Sequence, residues 1–130
     1  MKKYDNFVHA LDNLREIDKY APPYSIVELT GLVGLFEICF EQAWKAMKEI
    51  LEQHGYEEEQ TGSPKAILKL AYQAHMIEDE DLWLDALMAR NNVSHAYNRE
   101  IALNIVKRAK EDFLPLFEKL KDAMRQNWLS

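Results

Sequence analysis

Apolar residues recur every three or four positions along nearly all of the 130-residue chain, a spacing typical of amphipathic α-helices. In the first segment, over residues 3–19, Tyr4, Phe7, Leu11 and Leu14 fall on one helical face. No stretch alternates apolar and polar residues in the way that a half-buried β-strand does. The periodicity therefore predicts an all-α chain.

A long second helix is predicted over residues 25–54. Ser25, followed three positions later by Glu28, has the sequence signature of a capping box at its start. Gly31 and Gly34 interrupt good helix formers at a cost of about 1 kcal/mol each relative to alanine. Since they lie on one face, they mark a place for close approach of another backbone. The apolar face of this helix is wide: Leu29, Leu32, Val33, Phe36, Phe40, Ala43, Trp44, Met47, Ile50 and Leu51.

The sequence also predicts where the second helix ends and where the third begins. Gly55 suits a helix C-terminus, and an acidic connection follows over residues 56–62. Ser63 and Pro64 are an N-cap residue and a first-turn proline, so the third helix is predicted over residues 64–75.

Two more helices complete the predicted architecture. The fourth begins near Asp79, with acidic residues in its first turn, as the helix dipole prefers. The fifth covers residues 98–127 and is expected to kink at Pro115. Short connections between these segments favour an antiparallel, up-and-down bundle of four to five helices, folded as one domain over residues 1–130.

Composition excludes several classes of protein. The one cysteine, Cys39, permits no intrachain disulfide and favours a reducing compartment, so we expect a cytoplasmic protein. No segment has the uninterrupted apolar core of a signal peptide or the length of a membrane span. The net charge of −6 argues against a general nucleic-acid coat.

The sequence predicts neither a metal site nor a cofactor site. His9, His54, His75 and His95 are scattered, and none has the spacing of a known zinc or di-iron motif. A glycine-rich phosphate loop and a serine hydrolase motif are both absent. Cys39 lies in an apolar stretch, where a buried cysteine behaves as a small hydrophobic residue.

The segment of residues 90–99, Arg-Asn-Asn-Val-Ser-His-Ala-Tyr-Asn-Arg, is polar where the helical pattern should continue. An arginine is a permanent cation whose planar fork fits a phosphate, and a histidine exchanges a proton near neutral pH. Arg90 and His95 together therefore have the chemistry for metal-free cleavage of a phosphodiester. The alternative is a polar helix terminus in which these side chains are solvated.

Helix geometry constrains this hypothesis. On a continuous helix, Arg90 and His95 would lie about 140° apart, whereas Asn91 and His95 would share a face. The two cationic groups converge on one ligand only if the helix ends between them or if two copies combine. A two-fold dimer that juxtaposes both segments would gather two arginines and two histidines in one cleft.

Glu37 and Glu41 are the other polar candidates, one turn apart on the long second helix with Lys45 on the next turn. They have two interpretations, which the sequence leaves open. Glu37 could orient the cationic groups of the polar segment across a cleft. They could equally form an exposed ladder that stabilises the helix by a few tenths of a kcal/mol per pair.

The pattern Arg-x4-His-x-Tyr near the end of a small helical chain resembles the HEPN superfamily. More closely, nearly the whole chain is similar to the nucleotidyltransferase substrate-binding family, which is related to HepT. The resemblance implies a bundle homodimer with a shared cleft, paired with a minimal nucleotidyltransferase encoded nearby. The matching stretches are residues 31–45, Ser63-Pro64-Lys65, Leu68-Lys69, Trp83 and residues 90–97.

By this resemblance, Arg90 and His95 take the catalytic roles of a metal-independent endoribonuclease toxin. Tyr97 takes the role of the residue to which the partner enzyme attaches AMP. Asn91 fits the polar position after the arginine, and Arg99 is a further supporting or substrate-binding candidate. Two alternatives stay open, namely an inert subunit that binds nucleotide or substrate for its partner, and a helical scaffold without an active groove.

The charge is unevenly distributed along the chain. Residues 90–130 carry eight Lys and Arg against five Asp and Glu, a net charge of +3, whereas residues 37–89 have a net charge of −8. The basic part begins at Arg90 itself. A small, directed phosphodiester site for RNA or a nucleotide is therefore compatible with the overall charge, and the acidic part could face a partner protein.

Overall fold

The computed structural model describes residues 1–56 and 62–129, and within them it is entirely helical, as predicted. Most of the predicted acidic connection, residues 57–61, lies outside the described residues. In these two ranges, shorter helical turns follow four of the six α-helices. The helices are α1 (Lys2–Leu14), α2 (Ile26–Gln53), α3 (Pro64–Gln73), α4 (Glu80–Asn91), α5 (Arg99–Arg108) and α6 (Leu114–Ala123). The turns are 3₁₀ at Arg15–Lys19 and Val93–His95, and π-helical at Ala109–Phe113 and Met124–Trp128.

The predicted helix starts are confirmed by their hydrogen bonds. The Ser25 side chain accepts from the backbone N–H of Glu28 at 3.1 Å, and the Glu28 carboxylate accepts from the N–H of Ser25 at 2.8 Å. This is the reciprocal capping box. At α3, the Ser63 hydroxyl accepts from the N–H of Ala66 at 3.2 Å. Both caps accept hydrogen bonds from backbone N–H groups of the first turn, which have no partner within the helix.

The C-terminus of α2 follows the prediction, with Gly55 at φ +93°, in the left-handed region. The end of α3 uses His75 in the same way, at φ +64°. The N–H of Met76 then returns to the carbonyl of Ala71 at 2.9 Å, which closes the helix end.

The core joins helices from the whole length of the chain through aromatic rings. Phe36 of α2 stacks on Phe113 with ring centroids 5.3 Å apart, and Trp83 of α4 packs on Phe117 at 5.4 Å. Phe7 of α1 meets Phe117 edge-on at 6.5 Å. Such pairs stabilise a fold by about 0.5–1.5 kcal/mol beyond their buried area. One contiguous cluster of buried residues results, and α2 runs through it.

The predicted long fifth helix is present as α5 and α6 with a π-helical turn between them. That turn, Ala109–Phe113, ends two residues before Pro115. Pro115 lies in the first turn of α6, where its missing N–H costs little. The π-helical turn is the irregularity that accompanies the proline.

The two glycines of α2 lie at an open surface. A Cβ added at Gly31 or Gly34 would meet no heavy atom within 4 Å. The predicted close approach of another backbone is therefore not made by the residues that the structure describes.

No helix in the described part of the chain combines the length and the apolar character needed to cross a bilayer.

Candidate functional site

The polar segment forms the connection between α4 and α5. Helix α4 ends at Asn91, and the N–H of Asn92 returns to the carbonyls of Met88 and Ala89 at 3.0 and 3.1 Å. Asn98 starts α5, because its side chain accepts from the N–H of Glu100 at 2.9 Å and from that of Ile101. Asparagine is a strong helix N-cap. The helix therefore ends between Arg90 and His95, which is one of the two conditions that the sequence set.

Arg90 points from the last turn of α4 towards α2. Its Nη2 lies 2.5 Å from Oε1 of Glu41, and its Nη1 donates to Oδ1 of Asn91 at 3.2 Å. Oε1 of Glu41 is buried, and the N–H bonds of Arg90 are not aligned with it, so the contact is an ion pair rather than a well-directed hydrogen bond. About 29% of the Arg90 side chain remains exposed.

The second oxygen of Glu41 is also engaged. Oε2 accepts a hydrogen bond from the indole Nε1 of Trp44 at 3.1 Å. Glu41 therefore bridges an aromatic donor on its own helix and a cation from α4. The sequence suggests the role of orienting the cationic groups for Glu37, but it is Glu41 that contacts Arg90.

His95 and Tyr97 lie beyond the end of α4, exposed to solvent. Their ring centroids are 6.5 Å apart with planes inclined by 65°. Tyr97 is 83% exposed, the largest exposure among the large apolar and aromatic side chains that the structure describes. A phenol in this position is accessible to a second protein.

A groove beside Tyr97 separates the connection from α2. Its volume is about 560 Å³, and Glu37 is its charged wall residue. Glu37 therefore faces the tyrosine side of the site, while Glu41, one turn on, faces Arg90. The groove lining is mostly apolar: Ile26, Thr30, Val33, Gly34, Val93 and Ala96 complete it.

Arg99 has a different place from the other candidates. Its Nη2 donates to the backbone carbonyl of Tyr24 at 2.5 Å, which holds the α1–α2 connection against the start of α5. In the described residues, no hydrogen bond or ion pair links Arg99 to Arg90, His95 or Tyr97.

The structure thus assembles the sequence candidates into two subsets. Arg90, Asn91 and Glu41 form the first subset. In the second, Tyr97 and Glu37 line the groove, and the ring of His95 lies beside that of Tyr97. Within the described ranges of a single chain, no hydrogen bond joins Arg90 to His95. Nor do residues 1–56 and 62–129 contain a group of three or more His, Cys, Asp or Glu side chains that could hold a metal ion.

Trp44 is the residue of the site that the periodicity did not reveal. The sequence assigned it to the apolar face of α2, and it does pack partly buried against the core. A signal was nevertheless present, because Glu41 and Trp44 are three positions apart, and such side chains are neighbours on a helix.

Comparison with known proteins gives one family over nearly the whole chain. Residues 2–126 match the family described as "Nucleotidyltransferase substrate binding protein like". The chain is 30% identical over 100 residues to a protein of Haemophilus influenzae named "Probable ribonuclease HepT", a match that covers 75% of this chain and 68% of that protein.

Two solved structures share the fold. A crystal structure of a protein from Thermus thermophilus superimposes with a TM-score of 0.81 at 30% identity, over 92% of this chain and 99% of the other. A Haemophilus influenzae protein, described as having the fold of a substrate binding domain of a nucleotidyltransferase, also superimposes with a TM-score of 0.81. Its identity is 24%, over 95% of this chain and 99% of the other, so this second match supports the fold alone.

Proposed function

The chain belongs to the nucleotidyltransferase substrate binding protein like family, and from this premise we propose that it acts as a HepT-like subunit. In this proposal, two copies share a cleft that cleaves RNA without a metal ion, with Arg90 and His95 as catalytic residues. A minimal nucleotidyltransferase is the partner, and it silences the subunit by attaching AMP to Tyr97.

The observation that carries the proposal is the end of α4 between Arg90 and His95. On an unbroken helix the two groups would diverge by about 140°. Here Arg90 is oriented by Glu41 and keeps unused N–H donors, while His95 is exposed just beyond the helix. A cation that fits phosphate and a group that transfers protons are thus available on one surface.

A second copy has a suitable surface on which to complete the cleft. Helix α2 exposes Ile26 by 53%, Val27 by 78% and Ile38 by 54%, and its two glycines face open space. An uncovered apolar face of this kind is typical of an interaction site. Ile26 and Gly34 also line the groove beside Tyr97, so pairing across α2 places the two polar segments near each other.

The reaction that these groups support is transesterification within RNA. The 2′-hydroxyl oxygen bonds to the adjacent phosphorus, and the 5′-oxygen of the next nucleotide leaves with the electron pair of the broken P–O bond. One imidazole takes the proton of the 2′-hydroxyl, and the other protonates the leaving oxygen. Arg90 stabilises the negative charge of the phosphorane. The products are a 2′,3′-cyclic phosphate and a 5′-hydroxyl.

The deciding experiment is RNA cleavage in the presence of EDTA by the wild type and by His95→Ala. We expect the substitution to lower the rate by about 10²–10⁴-fold, because a positioned acid–base group contributes that much. His9→Ala, at an exposed position on α1, is the matched control and should cleave as the wild type does. The ribonuclease proposal is wrong if His95→Ala retains the wild-type rate, or if no RNA is cut by the wild type.

The AMP acceptor is tested separately. In the proposed transfer, the Tyr97 oxygen attacks the α-phosphorus of ATP, pyrophosphate leaves, and the phenolic proton goes to solvent. Tyr97→Phe should cleave RNA but incorporate no labelled AMP from the partner enzyme. Tyr20→Phe, another exposed tyrosine, is the control. Equal incorporation into wild type and Tyr97→Phe would assign the modification to another residue.

One observation favours the second candidate, an inert subunit that binds a nucleotide. The groove beside Tyr97 has a volume of about 560 Å³ and a mostly apolar lining, within the range of small-molecule sites. Ala96→Leu narrows this groove and should weaken ATP binding measured by equilibrium dialysis. A wild-type chain that binds no nucleotide removes this candidate.

A further inference from the structure

Trp44 holds one oxygen of a carboxylate whose other oxygen meets the motif arginine. Its Nε1 lies 3.1 Å from Oε2 of Glu41, and Oε1 of the same carboxylate lies 2.5 Å from Nη2 of Arg90. The first contact lies within α2, and the second crosses from α2 to α4. Three residues thus form a chain of polar contacts from the edge of the core to the candidate site.

The indole restricts what Glu41 can do. A glutamate side chain has several rotatable bonds, and its terminal torsion is broad and only weakly restricted. A hydrogen bond to Oε2 fixes the rotation of the carboxylate, and Oε1 is then directed at Arg90. Trp44 is itself partly buried against the core, so the donor is attached to a rigid part of the molecule.

The arginine at the end of this chain is oriented but not saturated. A guanidinium has five N–H donors. The described contacts of Arg90 are the Glu41 ion pair and one hydrogen bond to Asn91, and 29% of its side chain is exposed. N–H donors of Arg90 therefore remain for an incoming phosphate, while the contact with Glu41 fixes the position of the guanidinium.

We propose that Trp44 is a positioning residue for Arg90 and acts through Glu41. The inference rests on the proposed function insofar as Arg90 binds the phosphate of the substrate. Trp44 itself touches no substrate. Its effect is to keep the guanidinium against Glu41 of α2. A displacement of about 1 Å lowers a reaction rate by up to 10²-fold.

The first arm of the test measures the NMR signal of the Arg90 side chain and needs no ribonuclease activity. The chain has five arginines, and Arg90→Lys identifies the side-chain Nε–H signal of Arg90 in a ¹H–¹⁵N spectrum. In Trp44→Phe, which keeps a ring but loses the N–H, that signal should move towards the position of a free arginine. The signal of Arg15 should stay where it is. An unmoved Arg90 signal overturns the proposal.

The second arm uses a conservative variant and a control. Trp44→His keeps a ring N–H and should restore part of the wild-type Arg90 signal, which loss of packing alone would not do. Trp128→Phe is the matched control, because the ring contact and hydrogen bond described for Trp128 are with His54, just after the C-terminus of α2 and not with Glu41. If Trp44→His and Trp44→Phe shift the signal equally, the indole acts by packing and the proposal fails.

The third arm connects positioning to catalysis. With an RNA substrate, Trp44→Phe should lower kcat by about 10–100-fold, with partial recovery in Trp44→His. A wild type that cleaves no RNA refutes the proposed function, and the arginine signal then still decides the positioning role. A moved arginine signal with an unchanged kcat refutes the link to catalysis.

Discussion

Two arginine–carboxylate pairs join helices that are distant in sequence, and they differ in how much of the guanidinium is used. Just after α1, Nε and Nη2 of Arg15 donate to the two oxygens of Glu118 at 2.6 and 2.7 Å, and Nη1 contacts Asp12. At the end of α4, Arg90 meets a single oxygen of Glu41 and its neighbour Asn91. All three nitrogens of the first guanidinium contact carboxylates, whereas the second contacts a carboxylate through Nη2 alone.

The surroundings of the two pairs differ as well. The hydrogen bond with Glu118 raises the pKa of Arg15 above its ordinary value, and burial acts in the opposite direction. The charges of this pair also act on the buried thiol of Cys39, because Glu118 raises its pKa and Arg15 lowers it. Arg90 instead lies beside the exposed His95–Tyr97 connection. The Arg15 guanidinium binds both oxygens of a carboxylate and so joins two helices. The Arg90 guanidinium is oriented and has N–H donors without a described partner, which suits it to binding a phosphate.

The largest expected difference between the two arginines is in catalysis. Arg90→Ala should lower the rate of RNA cleavage by about 10²–10³-fold, the loss expected for one donor to a developing charge. Arg15→Ala should change it by less than about threefold, because each of the three Arg15 nitrogens already contacts a carboxylate of the chain itself. The measurement is single-turnover cleavage at a temperature where both variants are folded. Equal losses of cleavage rate in the two variants would show that Arg90 has no special role in catalysis.

The next effect concerns the open side of the molecule near Arg90. Ile38→Asp places a charge on the exposed apolar face of α2 and should weaken the proposed dimer at least about tenfold, since an unpaired charge is costly to bury. Met88→Asp is the control, because Met88 is 64% exposed but lies on α4. Light scattering over a concentration series measures both. A wild type that is monomeric at micromolar concentration would remove the shared cleft.

A smaller effect is expected on stability, and it should favour the Arg15 pair. Arg15→Ala should lower the free energy of unfolding in urea by about 1 kcal/mol, the value for a well-formed but partly exposed ion pair. Arg90→Lys keeps a cation for Glu41 and should cost less than half as much. A larger loss in Arg90→Lys would show that the Arg90 pair is the structural one.

The smallest expected effect is a pH dependence of stability caused by Cys39, and it tests whether water reaches this buried thiol. Burial is the largest cause that raises the pKa of Cys39 above its ordinary value of 9.0, with a further increase from Glu118. Well below pH 9 the thiol is neutral in both states. As the pH rises, the unfolded chain ionises while the folded chain does not, so stability falls, by about 0.4 kcal/mol between pH 8 and pH 9.

The measurement for this pH effect is the difference between wild type and Cys39→Ala in urea unfolding at the two pH values. The difference in stability between the two proteins should change in that interval by the stated amount. An unchanged difference would mean that the folded thiol ionises normally and that water reaches it.

Local features of this chain were predictable because they depend on neighbours in sequence. The capping box of Ser25 and Glu28 and the cap at Ser63 were predicted and are present, since each is a side chain bonding its own helix start. The buried face of α2 follows its 3.6-residue period in the same way. The identity of the polar segment as a helix end also follows from local chemistry, through Asn98 as an N-cap.

The contacts at the candidate site were not predictable to the same degree. Glu37 was proposed to orient the cationic groups, but the packing of α4 on α2 brings Glu41 to Arg90 and leaves Glu37 in the wall of the groove. Arg99 was grouped with the site, but it bonds the carbonyl of Tyr24, because the loop after α1 passes the start of α5. Trp44 was expected to be core, and its N–H is the part that reaches Glu41.

The sequence by itself determined which segments are helical, where they start and which faces are apolar, because hydrogen bonding and side-chain spacing within one helix are local. The tertiary structure alone decided that Arg90 meets Glu41, that Gly31 and Gly34 are left uncovered and that a groove opens beside Tyr97. These facts depend on the relative placement of packed helices. Periodicity states which face is buried, but it does not specify the partner helix, the crossing angle or the register.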